Sequence, residues 1–147
     1  MPVLHDPAYR ASLRSRVAAL KPDTPRQWGK MTIDQMLWHL NAAFDQSLGR
    51  LTAEPVQPPL PRAVLKLLVF NLPWGKGRAR TLREFVATGK YDFATEHART
   101  LRLIDEFATR DLTGSWPNSA MLGPMSGQDW SRLQAKHVDH HLKQFGA

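Results

Sequence analysis

The chain has 147 residues, 42% of them hydrophobic and 22% charged, which is the usage of one globular domain and argues against a disordered chain. It contains no cysteine, which excludes disulfides, thiolate metal sites, iron–sulfur clusters and a cysteine nucleophile, and fits a reducing compartment. Lysine and arginine total 20 against 13 acids, and the net charge of +7 suits nucleic acid, an anionic small molecule or solubility alone, without choosing among them.

Asp6-Pro7 reads as a helix start, with an acceptor side chain at the N-cap and proline at the first helical position. The helix it opens runs over Ala8 to Leu20, with Leu13, Val17 and Leu20 on one face, and Pro22 ends it. A linker with Pro25 and Gly29 leads to a second start at Thr32. Ile33, Met36, Leu37, Leu40, Phe44 and Leu48 then recur at helical spacing, and Gly49 stands where a glycine closes a helix. Arg50 to Pro61 holds four of the eleven prolines and reads as loop. Arg62 to Leu72 is a short apolar helix stopped by Pro73, suited to the core or to a dimer surface. Trp74 to Tyr91 is rich in glycine and arginine and reads as irregular, with a trace of strand pattern at Glu84 to Thr88. Asp92 caps a helix from Phe93 to Ala108, whose apolar side is Leu101, Ile104 and Phe107. Ser126 and Asp129 form a capping box that opens a last helix through Gln144, closed by Gly146. Four long helices and a short one, with no repeats and no hairpin turns, predict an all-α four-helix bundle with one short extra helix, a single domain over residues 1–147.

The first 20 residues carry Asp6, Arg10, Arg14 and Arg16 and lack the apolar core of a signal peptide. The longest apolar run, Val64 to Leu72, is broken by Lys66 and is far shorter than the roughly 20 residues of a membrane span. A soluble, cytoplasmic protein without a membrane partner is the expectation.

Of six histidines, His137, His140 and His141 fall in the last eleven residues. With successive residues about 100° apart on a helical wheel, Trp130, Leu133, Val138, Leu142 and Phe145 mark the apolar side of the last helix. His137 and His141 fall at its centre and His140 toward its edge. Two imidazoles at i and i+4 project side by side, and burying them without partners costs about 1–3 kcal/mol per unsatisfied group. A metal ion removes that conflict, because it binds neutral imidazole nitrogen. His39, between Met36 and Ala43 at the edge of the second helix's stripe, can supply a third ligand. Three histidines leave positions open for water or substrate, the arrangement of a catalytic site. The competing reading makes all three hydrogen-bonded core residues. Asp34, Asp45 and Asp139 are candidates to orient the imidazoles, although Asp139 points away from the His137/His141 face. His5 and His97 read as surface residues.

At these positions the sequence resembles a known family. The run Trp28-Gly29-Lys30-Met31-Thr32-Ile33-Asp34-Gln35-Met36-Leu37-Trp38-His39-Leu40 looks like the opening motif of the DinB/YfiT-like metalloenzyme superfamily. Residues Trp130 to Gly146 are similar to its last helix, in a branch of unknown function ending in Lys-His-x-Asp-His-His-Leu-x-Gln-Phe-Gly. The likeness spans nearly the whole chain. It implies an up-down-down-up bundle, often a homodimer, holding a divalent metal on His39, His137 and His141. It also implies a supporting role for Gln144, three residues after the last ligand; His140, from its edge position on the wheel, reads as a solvated neighbour or a group supporting the ligands. One departure is visible: relatives often carry His-Pro before a Phe-Gly turn, where this chain has Ser119-Ala120-Met121-Leu122-Gly123-Pro124.

A neutral three-histidine site suits zinc, nickel, iron or manganese. The resemblance implies a metal-dependent enzyme acting on a small molecule, either a hydrolase or an S-transferase using a low-molecular-weight thiol such as bacillithiol or mycothiol. The rival reading is a non-catalytic module that binds an anion or nucleic acid through the basic 74–83 loop. There Lys76, Arg78, Arg80 and Arg83 accompany Trp74, the mixture expected for phosphate contact and base stacking. No nucleic-acid-reading motif accompanies them, so nucleic acid is disfavoured. A more modest role for Lys76, Arg78 and Arg80 is to draw an anionic substrate toward the metal, and the plain alternative is solvated loop charge.

Overall fold

The computed structural model describes residues 2–77 and 82–147 and contains five α-helices, with no strand among the described residues. They are α1 (Pro7–Ala18), α2 (Ile33–Ser47), α3 (Arg62–Asn71), α4 (Phe93–Ala108) and α5 (Gly127–Gln144), with one 3-10 turn at Arg83–Phe85. The strand pattern at Glu84 to Thr88 thus resolves into that turn and extended chain. No described helix is long and apolar enough to cross a membrane.

The caps form as the sequence requires. Asp6 Oδ1 accepts hydrogen bonds from the amides of Ala8 (2.9 Å) and Tyr9 (3.3 Å), groups that no preceding turn can satisfy. Asp92 accepts from the Thr95 amide at 3.0 Å, and Ser126 and Asp129 bond each other's backbone at 3.0 and 3.2 Å. Gly49 (φ 77°) and Gly146 (φ 71°) adopt the left-handed conformation that closes α2 and α5, where a side chain would be strained.

Four helices form a ring in which α4 lies between α1 and α2, and α5 closes the other side between the same two. Consecutive α1 and α2 are therefore diagonal partners. Leu13, Val17, Met36, Leu37, Leu40, Phe44, Ile104, Phe107, Val138 and Leu142 meet in one core cluster and are fully buried. On α4 Leu103 is buried beside Ile104 and Phe107, and Leu101 packs against the core half-buried. Polar ties fix the helix register. Asn41, fully buried on α2, donates to Glu96 (2.7 Å) and accepts from Thr100 (2.8 Å) on α4. Gln134 on α5 donates to the Ala43 carbonyl and to Ser47 Oγ on α2. Each buried amide that leaves water needs such a partner.

The short α3 stands outside the ring. Only Phe70 is buried from it, and Leu67 remains 63% exposed. It is moored through its polar groups. Lys66 pairs with Asp129 at 2.6 Å, and Lys136 Nζ donates to the Val69 (2.6 Å) and Leu72 (2.5 Å) carbonyls.

Two histidines read as surface residues turn out to be pins. His5 Nδ1 meets Ser131 Oγ and His5 Nε2 meets the Arg110 carbonyl, both at 2.9 Å, with its ring against Phe107. His97 Nε2 donates to the Val17 carbonyl at 2.7 Å and stacks on Phe93. Both are half-buried, and each hydrogen-bond partner of their rings lies 80 or more residues away along the chain.

The start of α5 is tight. A Cβ at Gly127 would collide with the Leu112 backbone and the Trp116 indole nitrogen. Gly127→Ala is therefore expected to destabilise the protein by about 1–3 kcal/mol in urea unfolding, although alanine favours a helix by about 1 kcal/mol over glycine. An unchanged or raised midpoint would show that the 112–116 loop yields freely.

Candidate metal centre

The ring order places α2 beside α5, and with them His39 beside His137 and His141. The ring centroids of these three imidazoles are mutually equidistant: His39–His137, His39–His141 and His137–His141 are each 4.8 Å apart, with interplanar angles of 75–77°. His39 and His141 are buried and His137 half-buried.

The hydrogen bonds decide which nitrogens face inward. His39 Nδ1 lies 2.8 Å from the Phe85 carbonyl, which only accepts, so Nδ1 carries the proton and Nε2 keeps its lone pair. Gln144 Nε2 donates to the Trp28 carbonyl at 3.1 Å, which turns Oε1 toward His141 Nδ1 at 2.7 Å. His141 Nδ1 is then the donor, and its Nε2 also holds a lone pair. His39 Nε2 is 2.9 Å from His137 Nε2. The outer nitrogens of His39 and His141 are thus each bonded to a fixed acceptor, the support that metal-ligating histidines have.

Burial makes the rings neutral at pH 7. It pushes His141 down to about 3, reinforced by the neighbouring His39 ring and opposed by the Gln144 bond. His137 is held well below the ordinary histidine value of 6.5, by burial first and by His141, His39 and His140 next. His39 is lowered by burial, which the Phe85 carbonyl partly offsets. Neutral imidazole is the form that binds a cation.

The donor set fits a divalent ion. Nitrogens about 2.0–2.1 Å from one ion put the ring centroids roughly 5 Å apart, close to the spacing found. The three ligand atoms lie within 4.8 Å of one another. The cluster could hold a metal ion with three protein ligands and an open position.

Of the expected supporting residues, Gln144 orients His141 directly. His140 is half-buried between the rings of Trp28 (4.9 Å) and Trp74 (5.3 Å), 5.2 Å from His141, and burial lowers its pKa. The carboxylates play no part in orienting the imidazoles. Asp34 accepts from the Tyr91 amide, Asp45 pairs with Arg99, and Asp139 pairs with Arg16 and Lys143. Their place is taken by two main-chain carbonyls, of Phe85 and Trp28, which carry no side-chain signal in a sequence.

In the basic loop, Lys76 is exposed, while Arg78 and Arg80 lie outside the described residues. Trp74 does not present an open stacking face. Its ring packs on His140, tilts over His137 at 6.1 Å and carries Lys136 Nζ at 5.3 Å, while its indole N–H donates to the Val69 carbonyl.

Gln144→Leu removes the acceptor of His141 Nδ1 and the donor to Trp28 together. Metal affinity is expected to fall about 10–100-fold, the usual cost of losing a ligand's outer partner. Competition with a chromophoric chelator measures it, and an unchanged affinity would show that Gln144 only packs.

The fold and the site together define an all-helical chain with a three-histidine cluster able to hold a metal ion. Comparison with protein-family models, curated proteins and solved structures finds no match to this chain.

Proposed function

We propose that this chain is a divalent-metal-dependent enzyme of the DinB/YfiT-like kind, acting on a small molecule as a thiol-dependent S-transferase or a hydrolase. The observation that carries the reading is the equidistant triangle of neutral imidazoles, two of them with lone pairs fixed inward by Phe85 and Gln144. Zinc, nickel, iron or manganese held there would supply Lewis acidity toward an oxygen or sulfur ligand.

The residues of the chain do the rest. His39, His137 and His141 hold the ion, and the Phe85 carbonyl and Gln144 keep two of the rings in one tautomer and orientation. His140, its pKa lowered by burial, sits between the rings of Trp28 and Trp74 and against His141.

The direct test is elemental analysis of untagged protein purified without chelators. About one equivalent of a transition metal per chain is expected. Less than a tenth of an equivalent, with no uptake from added Zn²⁺, Ni²⁺, Fe²⁺ or Mn²⁺, would sink the proposal and leave the rings as a hydrogen-bonded core cluster.

A further inference from the structure

The two carbonyls that steady the metal centre come from two separate stretches of chain, and those same stretches enclose a second feature. Trp28 holds Gln144, and two residues later Lys30 and Met31 line an open cleft of about 330 Å³. Phe85 holds His39, and Phe85, Val86 and Ala87 line the same cleft. Gln35 completes the lining, four residues before His39 and therefore on the same face of α2. The volume lies in the range of small-ligand sites.

The lining has a definite chemistry. Gln35 is fixed at both ends, accepting from the Thr32 amide and donating to the Gly89 carbonyl, each at 3.0 Å. Met31, Phe85, Val86 and Ala87 are apolar, and Val86 keeps 44% of its surface exposed. Lys30 is the one charged residue of the lining, exposed and without an ion-pair partner among the described residues. The nearby acid Asp34 is engaged by the Tyr91 amide. An apolar slot with a single free cation at its rim selects a short apolar body bearing one negative group, and the net charge of +7 favours its approach.

We infer that this cleft binds small amphiphilic carboxylates and is the substrate-body subsite of the metal centre. Its role as a substrate subsite rests on the metal-enzyme reading; the binding of a carboxylate does not.

Hexanoate and its neutral counterpart hexanamide are the probes, titrated into the full-length protein while the methyl signals of Met31, Val86 and Ala87 are followed by NMR. Hexanoate is expected to shift all three saturably and to bind about three- to fivefold more tightly than hexanamide, the yield of one exposed ion pair. Lys30→Gln should abolish that preference and leave hexanamide binding as it was. In protein loaded with Mn²⁺, the proton signals of bound hexanoate should broaden, and in His137→Ala they should stay sharp. Absent methyl shifts, equal affinity for the two probes, or sharp hexanoate signals beside retained manganese would each overturn the inference while the metal reading stands. Methyl shifts in a protein that retains none of Zn²⁺, Ni²⁺, Fe²⁺ and Mn²⁺ would sink the metal reading, and the subsite role with it.

Discussion

His137→Ala is expected to abolish metal retention while leaving the helical content unchanged. Losing a ligand outright costs more than the 10–100-fold that follows from losing a ligand's outer hydrogen bond, so a site occupied after purification should be empty after dialysis. Helicity should survive because alanine is the best helix former and α5 keeps Trp130, Ala135, Val138 and Leu142 in the core. The three histidines differ in what else they hold. His39→Ala strips the Phe85 carbonyl of its donor, and His141→Ala frees the side chain of Gln144. Those two variants should therefore also lose about 1–3 kcal/mol of metal-free stability through the groups left unpaired. His137 has the His39 nitrogen as its one hydrogen-bond partner among the described residues, which makes it the cleanest probe. Plasma mass spectrometry, far-UV circular dichroism and urea unfolding of the three variants decide it. Wild-type metal content in all three would place any bound ion elsewhere.

Much of this architecture is legible in the sequence because it depends on local chemistry. Asp6-Pro7, Asp92 and the Ser126/Asp129 pair mark helix starts within the span of one turn, and Gly49 and Gly146 mark ends because their φ values suit glycine. The pairing of His137 with His141 is likewise local, since residues four apart on a helix are neighbours. The addition of His39 needed only two amphipathic faces turned toward one core. What escaped is what depends on main-chain groups or on contacts remote in sequence. The Phe85 and Trp28 carbonyls that orient His39 and Gln144 look like any other carbonyl in the chain, so carboxylates were the natural candidates in their stead. The diagonal placement of α1 and α2 and the pinning roles of His5 and His97 join segments far apart, which no local periodicity records. Apolar composition leaves α3 open between the core and an outer surface, and its run of leucine and valine buries only Phe70, because the four longer helices already close the core.

Acid should weaken the metal-free protein well before its carboxylates titrate. His141 has an ordinary pKa of 6.5 in the unfolded chain and about 3 in the folded one. Below pH 6.5 the unfolded state therefore takes up a proton that the folded state refuses, and stability falls as pH falls until about pH 3. The slope is about 1.4 kcal/mol per pH unit for one such group, so His141 alone accounts for about 2 kcal/mol between pH 7 and pH 5. His137 and His39 are shifted in the same direction and steepen the loss. Asp129, Asp139 and Glu106, held below their usual values by Lys66, Lys143 and Arg16, and Arg50, add their share only at lower pH, as they are protonated. The interval from pH 7 to pH 5 thus isolates the histidines. Urea unfolding with a chelator present should show the decrease, and His141→Gln should flatten it. Equal stability at the two pH values would mean that the imidazoles are hydrated and free to protonate. With metal bound the difference should widen, because the ion stabilises only the folded state and protons displace it from the same nitrogens. One cluster of three desolvated rings then makes both effects a single balance, between a proton and a cation competing for lone pairs that the fold keeps out of water.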